Sequence, residues 1–207
     1  MSGEIPAFYD DLMLSLAEAR ALLFRGARDR HCAAHTPVVA NMGADGAPSQ
    51  RVMILRECDW DARRLRFHTD SRGDKASQLA GSNKISVLIY DEPAKLQLRL
   101  TGHGQIETDS PATGAAWRES TPFARRCYMA ENAPGGISDA PTSGLPEWIE
   151  GIKPTEDQLA SARDNFAVLY VIFDRIDWLY LANRGHRRAM FRWNDAAGAW
   201  QGQWLVP

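Results

Sequence analysis

Four cationic side chains lie close together in one strand-rich stretch of the sequence. They are Arg51, Arg56, Arg72 and Lys75. Arg51 can offer a bidentate guanidinium fork to an anion. Arg72 and Lys75 lie near the predicted start of a helix, where backbone N–H groups and the helix dipole favour negative charge. The pattern therefore predicts a site for a phosphate-bearing ligand.

A second basic group lies near the C-terminus, where Arg184, His186 and Arg188 are spaced by two residues. In a strand, this spacing places all three side chains on one face. Solvated charges on a sheet surface explain both basic groups equally well, so charge alone leaves the phosphate site open. Arg51 and Arg56 differ in parity, so either a bulge lies between them or they serve different partners.

Composition limits the class of protein. The 207 residues are 44% hydrophobic and 24% charged, which is ordinary for one well-cored globular domain spanning residues 1–207. A net charge of −2 argues against a general nucleic-acid binder, although residues 184–192 form a basic run. The acidic N-terminal segment predicts no signal peptide, and no apolar run approaches membrane-spanning length. We therefore expect a cytoplasmic protein that does not bind membranes.

The cysteines and histidines predict no metal site. Cys32, Cys58 and Cys127 are odd in number and form no CxxC pair, so neither a disulfide scaffold nor a zinc ribbon is expected. His31 and His35 have helical i, i+4 spacing, but no third ligand accompanies them.

Short strand candidates separated by turns dominate the rest of the chain. Residues 96–101 alternate leucine with polar residues, which is typical of a half-buried strand. Glycines at 102 and 104 predict a bulge or bend. The sequence predicts a mainly β fold with peripheral helices, and closure into a barrel because closure removes exposed edges. The strand candidates are residues 36–41, 50–57, 64–69, 85–90, 96–106, 165–182, 186–193 and 199–206.

Helical patterns surround these strands. Residues 6–25 predict an amphipathic N-terminal helix that covers an end or face of the sheet, with Pro6 in its first turn and Gly26 at its C-terminal end. Residues 110–128 and 156–162 predict further helices. Residues 129–154 form a Pro/Gly-rich loop, either a lid over a site or a surface excursion.

Several of these segments together resemble the pyridoxamine 5′-phosphate oxidase-like family of FMN-binding split barrels. The resemblance rests on RVMILR at residues 51–56, FHTD at 67–70, the basic loop ending in Lys75, and QLRLTG at 97–102. Near the C-terminus, Trp178 precedes Arg188 by ten residues, with Arg184-Gly-His186 between them. The fold that the resemblance implies is an antiparallel split β-barrel.

The resemblance implies a role for each matching residue. Arg51 and Lys75 are implied to bind the FMN phosphate, with Arg72 nearby. The isoalloxazine ring is implied to lie against the backbone of Val52, Met53, Ile54 and Leu55. Hydrogen bonds to the flavin are implied for the segment containing His68 and Thr69, and for Gln97. Trp178 and Arg188 approach the cofactor, often from the partner subunit. Arg56, Arg184 and His186 face the substrate, and Arg184 and His186 are the candidate catalytic residues.

Departures from the oxidase pattern put the vitamin substrate in question. Asp74 replaces the arginine that precedes the first FMN lysine. The Tyr–Arg–Ser set that grips the substrate phosphate is not recognisable around residues 117–126, where Thr121 precedes Pro122. We therefore expect weak or absent turnover of pyridoxamine 5′-phosphate.

The resemblance implies a homodimeric flavoprotein with the flavin site at the subunit interface. The expected activity is oxidation of a small, phosphorylated or otherwise anionic substrate, with hydride transfer to the flavin and reoxidation by O₂. The alternative is a non-catalytic module that binds FMN or haem on the same barrel.

Overall fold

One nine-stranded antiparallel sheet organises the chain, and the computed structural model describes residues 5–207. Every strand pairing is antiparallel, which confirms the predicted mainly β class. The strands are β1 (Val38–Met42), β2 (Pro48–Val52), β3 (Leu55–Asp59), β4 (Arg64–Asp70), β5 (Lys84–Asp91), β6 (Leu96–Glu107), β7 (Phe166–Tyr180), β8 (Arg187–Asn194) and β9 (Ala199–Leu205).

The sheet is open along one seam. Its strands follow the order β2–β1–β5–β6–β7–β4–β3, and β8 and β9 extend from β7. Within residues 5–207, β2 and β3 do not pair with each other, so the expectation of a closed barrel is wrong and the split barrel is confirmed. The chain passes from one free edge to the other through Met53 and Ile54, which belong to neither strand.

Strand β7 is long enough to pair with two different strands along one of its edges. Residues 166–172 pair with β4, and residues 175–180 pair with β8. The opposite edge of β7 pairs with β6, with a register shift between Thr101 and Gly102. A Cβ at Gly102 would lie 2.0 Å from the carbonyl oxygen of Ile172, so only glycine fits there. The bend predicted at this glycine is confirmed.

The helices lie outside the sheet and are short, apart from the first. They are α1 (Leu12–Arg28), α2 (Asp74–Gly81), α3 (Pro111–Glu119), α4 (Pro122–Arg126) and α5 (Glu156–Leu159). The predicted start of the first helix at residue 6 is wrong, because residues 7–10 form a separate 3₁₀ turn and Asp11 caps α1 by accepting from the Leu14 N–H at 2.9 Å. Gly26 lies inside α1, where a Cβ would come within 2.6 Å of Ala34.

The main core fills the space between the sheet and α1. The alternation predicted over residues 96–101 is confirmed, because Leu96, Leu98 and Leu100 are fully buried and Gln97, Arg99 and Thr101 are not. Among residues 5–207, no helix is long and apolar enough to cross a membrane.

A smaller aromatic cluster lies on the other face of β4 and β7, beneath α3 and α4. Trp117, Tyr128 and Phe166 meet there with ring centroids 5.1 to 6.1 Å apart. The chain from 129 to 154 then runs over the surface with one short 3₁₀ turn, Glu147–Ile149.

Candidate functional site

The hairpin of β1 and β2 positions Arg51. Asn41 of β1 lies opposite Ser49 of β2, and Ser49 and Arg51 are two residues apart, so the three side chains share one face. The Arg51 guanidinium donates to the Asn41 side-chain oxygen, to the Ser49 Oγ at 2.7 Å and to the Ser49 carbonyl at 3.1 Å. All of these acceptors are neutral, so the Arg51 charge is oriented but not compensated.

Lys75 lies in the first turn of α2 and reaches the same end of the sheet. Its ammonium donates to the hydroxyl of Thr69, which is buried near the end of β4. Burial, followed by the neighbouring Arg51 charge, lowers the pKa of Lys75 to about 8, although the Asp70 charge acts in the opposite direction. Arg51 and Lys75, the cation pair, are therefore close enough to repel each other.

The cation pair has no carboxylate partner. Within the described part of the chain, no carboxylate oxygen lies within 4.0 Å of Arg51 or Lys75. Two partly buried, mutually repelling cations held by neutral acceptors are incomplete without an anion. A phosphate dianion supplies the missing charge, so the donor set fits a phosphate group such as that of FMN.

Arg72 is not part of this pair. Its guanidinium makes two hydrogen bonds to the Asp70 carboxylate, at 3.0 and 2.8 Å, and one to the carbonyl of Ala130 at 3.0 Å. The pKa of Arg72 is raised by the hydrogen bond to Asp70. Arg72 therefore fastens the long surface loop to the end of β4.

Residues 52–55 form the wall beside the open seam. Val52 and Ile54 are 63% and 41% exposed, whereas Met53 and Leu55 are buried. The Met53 N–H donates to the Pro37 carbonyl at 3.0 Å. Two apolar side chains thus face solvent beside irregular backbone, an arrangement suited to the edge and face of a flat ring.

The parity difference between Arg51 and Arg56 has a structural cause. The single strand predicted over residues 50–57 is wrong, because β2 ends at Val52 and β3 begins at Leu55. The register of β3 against β4 also shifts between Leu55 and Glu57. Arg51 and Arg56 therefore do not share one regular strand: the charge of Arg51 acts on Lys75, whereas that of Arg56 acts on His68 and Tyr128, so the two arginines serve different surroundings.

Arg56 approaches the aromatic cluster together with His68. His68 and Thr69 are neighbours on β4, so their side chains point to opposite faces: Thr69 toward Lys75, and His68 toward Phe166, whose ring lies 5.0 Å away. Burial, followed by the charges of Arg56 and Arg66, lowers the pKa of His68 to about 3. The imidazole is therefore neutral near pH 7 and cannot supply a positive charge.

Polar atoms in this second region lack partners. The Nε atom of Arg56 and the Nε2 atom of His68 are buried and make no hydrogen bond within residues 5–207. No carboxylate oxygen of the described chain lies within 4.0 Å of the Arg56 guanidinium. Burial raises the pKa of Tyr128, which the Arg56 charge partly offsets, so this side chain is a neutral phenol.

Gln97, Trp178 and Arg188 lie elsewhere on the sheet. Gln97 is partly exposed on β6, and Trp178 is fully buried in the core, 5.7 Å from the Phe8 ring. Arg188 donates to Asp177 at 2.8 and 3.1 Å, and Arg99 donates to the same carboxylate. Strand β8 is five strand steps from β2 in the sheet order, yet Arg188 lines the same cavity as Gln50, the neighbour of Arg51.

The prediction that Arg184, His186 and Arg188 share one side of a strand is wrong. Strand β8 begins at Arg187, and the two earlier residues lie exposed in the preceding turn. Gly185 has a φ of +131°, which favours glycine, and its carbonyl accepts from the Tyr9 hydroxyl at 2.6 Å. The turn is thereby fixed against the N-terminal segment.

Sequence reasoning missed Asn41, Ser49 and Gln78, which surround the cation pair. Asn41 was the last residue of a predicted strand, and a polar residue in an otherwise apolar strand is the signal that could have drawn attention to it. Ser49 and Gln78 carried no such signal.

Comparisons with known proteins identify similar sequences and a shared fold. Residues 18–108 match the model of the family described as pyridoxamine 5′-phosphate oxidase, FMN-binding domain. A pyridoxine/pyridoxamine 5′-phosphate oxidase of Myxococcus xanthus is 28% identical over 176 residues, covering 82% of this chain and 80% of that protein. One from Alcanivorax borkumensis is 27% identical over 176 residues, covering 82% of this chain and 78% of its own length.

Two solved structures share the fold over nearly the whole chain. A pyridoxamine 5′-phosphate oxidase-related, FMN-binding protein from Nostoc punctiforme superposes with a TM-score of 0.72 at 21% identity, covering 99% of this chain and 100% of that one. PhzG from Burkholderia lata, in complex with tetrahydrophenazine-1-carboxylic acid, gives a TM-score of 0.69 at 17% identity, covering 99% and 98%.

Proposed function

We propose that this chain is an FMN-dependent oxidoreductase of the pyridoxamine 5′-phosphate oxidase-like family, because residues 18–108 match the FMN-binding domain of that family and a relative is 28% identical over 82% of the chain. The observation that carries the proposal is the uncompensated cation pair, Arg51 and Lys75, at the seam of the split barrel. FMN supplies the redox chemistry when bound, and the protein binds and orients it.

The cation pair would hold the FMN phosphate, since a guanidinium fork and an ammonium group together match a dianion. Thr69 would keep the Lys75 ammonium in place through the hydrogen bond described above. Val52 and Ile54, the exposed apolar side chains at the seam, would cover the ring. Arg72 would act indirectly by fixing the loop that follows α4.

The substrate side of the site is assigned to Arg56. Its guanidinium lacks a carboxylate partner in the described chain and lies near His68 and Tyr128, so it can receive an anionic group of the substrate. Arg184 and His186 would orient the substrate from an exposed turn. The neutral His68 can contribute a hydrogen bond to the same region, but no charge.

A homodimer would complete the site. In the described part of the chain, Arg188 is hydrogen-bonded to Asp177 and not to the residues that hold the cation pair, and the resemblance implies that Arg188 approaches the cofactor from the partner subunit. The outer sheet face between Arg188 and the cation pair carries the partly exposed apolar side chains Met42, Leu88 and Tyr90. A second chain placed on this face would bring its own Arg188 and Gln97 toward the cation pair, while burying these apolar groups.

The first experiment is an absorption spectrum of the purified protein, followed by titration with FMN and sizing by light scattering. We expect flavin bands, FMN affinity that falls about 10- to 100-fold in Arg51→Ala and Lys75→Ala, and a dimer. Exposed cations provide matched controls, so Arg28→Ala and Lys153→Ala should bind FMN like the original protein. A protein that ignores FMN, or whose affinity is unchanged in both site variants, would refute the phosphate assignment.

Turnover is tested separately by hydrogen peroxide production. Weak or absent activity on pyridoxamine 5′-phosphate is expected because the substrate-phosphate set is altered. Carboxylated aromatic substrates belong in the same screen, because the Burkholderia lata protein of this fold binds tetrahydrophenazine-1-carboxylic acid. A flavin-loaded dimer that oxidises no anionic substrate would instead indicate the non-catalytic binding module.

A further inference from the structure

Asn41 is a buried polar residue in a strand that is hydrogen-bonded on both edges. It is 4% exposed, and β1 pairs with β2 on one edge and β5 on the other. Its amide oxygen accepts from Arg51, and its amide nitrogen donates to the Gln78 side chain at 2.8 Å and to the Met42 carbonyl at 2.9 Å. A buried amide whose oxygen and nitrogen are both hydrogen-bonded is costly to replace, and it holds its hydrogen-bond partners in one arrangement.

The direction of this amide is fixed by its partners. An arginine side chain only donates hydrogen bonds, so the oxygen of Asn41 must face Arg51. The nitrogen is then left to donate to the Gln78 carbonyl oxygen. Gln78 follows Lys75 by three residues on α2, which places both side chains on neighbouring positions of one helix face.

A continuous path of hydrogen bonds therefore runs from one member of the cation pair to the helix that carries the other. It goes from Arg51 on β2, through Asn41 on β1, to Gln78 on α2. The two cations repel each other, and the Asn41 hydrogen bonds oppose this repulsion by linking β2 to α2. Ser49 also holds Arg51, but it lies on the same strand and cannot tie that strand to the helix.

We propose that Asn41 is a positioning residue that, through Gln78, fixes Arg51 against Lys75 and so sets the preference for a phosphorylated flavin over the phosphate-free form. This inference rests on the proposed FMN site. Asn41 touches neither the ring wall at Val52 and Ile54 nor the substrate side at Arg56, so its effect should be confined to the phosphate.

The test compares FMN and riboflavin binding by flavin fluorescence in the full-length protein and in Asn41→Leu, which keeps the side-chain size. We expect the FMN Kd to rise about 10- to 100-fold, the range for losing a hydrogen bond to a charged group, with the riboflavin Kd unchanged within about twofold. Gln78→Met, on a partly exposed helix face, should raise the FMN Kd about threefold. Ser77→Ala on the same helix is the matched control and should change neither Kd.

A double-mutant cycle separates positioning from a general structural role. Asn41 acts through Arg51, so Asn41→Leu added to Arg51→Ala should weaken FMN binding no further. Equal losses of FMN and riboflavin affinity, or full additivity with Arg51→Ala, would overturn the proposal. If Asn41→Leu does not fold, an unchanged FMN Kd in Gln78→Met overturns it.

Failure of this inference is distinguishable from failure of the proposed function. If FMN binds and depends on Arg51 and Lys75, but not on Asn41 or Gln78, only the positioning role is lost. If the original protein does not prefer FMN over riboflavin, the phosphate site itself is refuted.

Discussion

The titration of Lys75 predicts how tightly the protein binds FMN at different pH values. Burial and the Arg51 charge lower the pKa of the free Lys75 ammonium to about 8. A bound phosphate dianion would favour the ammonium form and raise this pKa, so FMN binding above pH 8 requires uptake of a proton. FMN affinity should therefore fall as the pH rises.

The magnitude follows from the fraction of charged Lys75. With a pKa of about 8, about 91% of the side chains are charged at pH 7 and about 9% at pH 9, so the FMN Kd should rise about tenfold over this interval. Arg51 stays charged throughout, and the phosphate, with a second pKa near 6, is already a dianion. Fluorescence titration at pH 7, 8 and 9 and constant ionic strength measures the change.

Two controls isolate Lys75 from the rest of the site. Riboflavin has no phosphate, so its Kd should stay within about twofold between pH 7 and pH 9. In Lys75→Arg the charge persists at pH 9, and the ratio of FMN Kd values at the two pH values should approach one. An FMN Kd that is flat in the original protein, or a riboflavin Kd that rises in parallel, would refute the reasoning.

Three other predictions concern the framework of the site. His68 has a folded-state pKa of about 3, below its ordinary value of 6.5, so its contribution to stability is present above pH 6.5 and is lost as the pH falls toward 3. The original protein should lose unfolding free energy between pH 7 and pH 5 in urea titrations, and His68→Gln should remove up to about 2 kcal/mol of that loss. An unchanged loss in the variant would contradict this. Asp177→Asn leaves Arg99 and Arg188 without their shared carboxylate and should lower the unfolding free energy by about 1–3 kcal/mol, most clearly at low salt. Equal stability of the variant and the original protein would show that these ion pairs do not stabilise the fold. Gly102→Ala places a Cβ against the backbone of the neighbouring strand and should cost at least about 2 kcal/mol, whereas Gly81→Ala, which meets no atom within 4 Å, should not.

The strands that could be predicted most accurately are those with a strict alternation of apolar and polar residues. The bounds of β4, β5 and β6 lie within one residue of the sequence expectation, because their side chains alternate between core and solvent. The first helix was predicted six residues too early, since the apolar pattern of a 3₁₀ turn at residues 7–10 merges with that of α1. Only the capping contact of Asp11 separates the two.

The candidate site was predictable in composition but not in arrangement. Arg51 and Lys75 stood out by residue type, and the structure brings them together. Arg72 stood out equally, yet the structure pairs it with Asp70, because the loop after β4 directs the Arg72 guanidinium back toward the carboxylate at the end of that strand. His68 and Thr69 looked like one unit, but β-strand geometry sends them to different faces.

The sequence by itself determined the strand periodicity, the family resemblance and the cationic residues of the phosphate site, since each depends on residue type and local spacing. Only the tertiary structure decided which cations stay uncompensated, that Arg51 and Arg56 lie on separate strands, and how Asn41 joins β2 to α2. These features depend on contacts between segments that are distant in the chain. A single sequence does not show which hydrogen-bond acceptor or carboxylate each cation will contact. The open seam has the same origin, because β2 and β3 are neighbours in sequence but form opposite edges of one sheet.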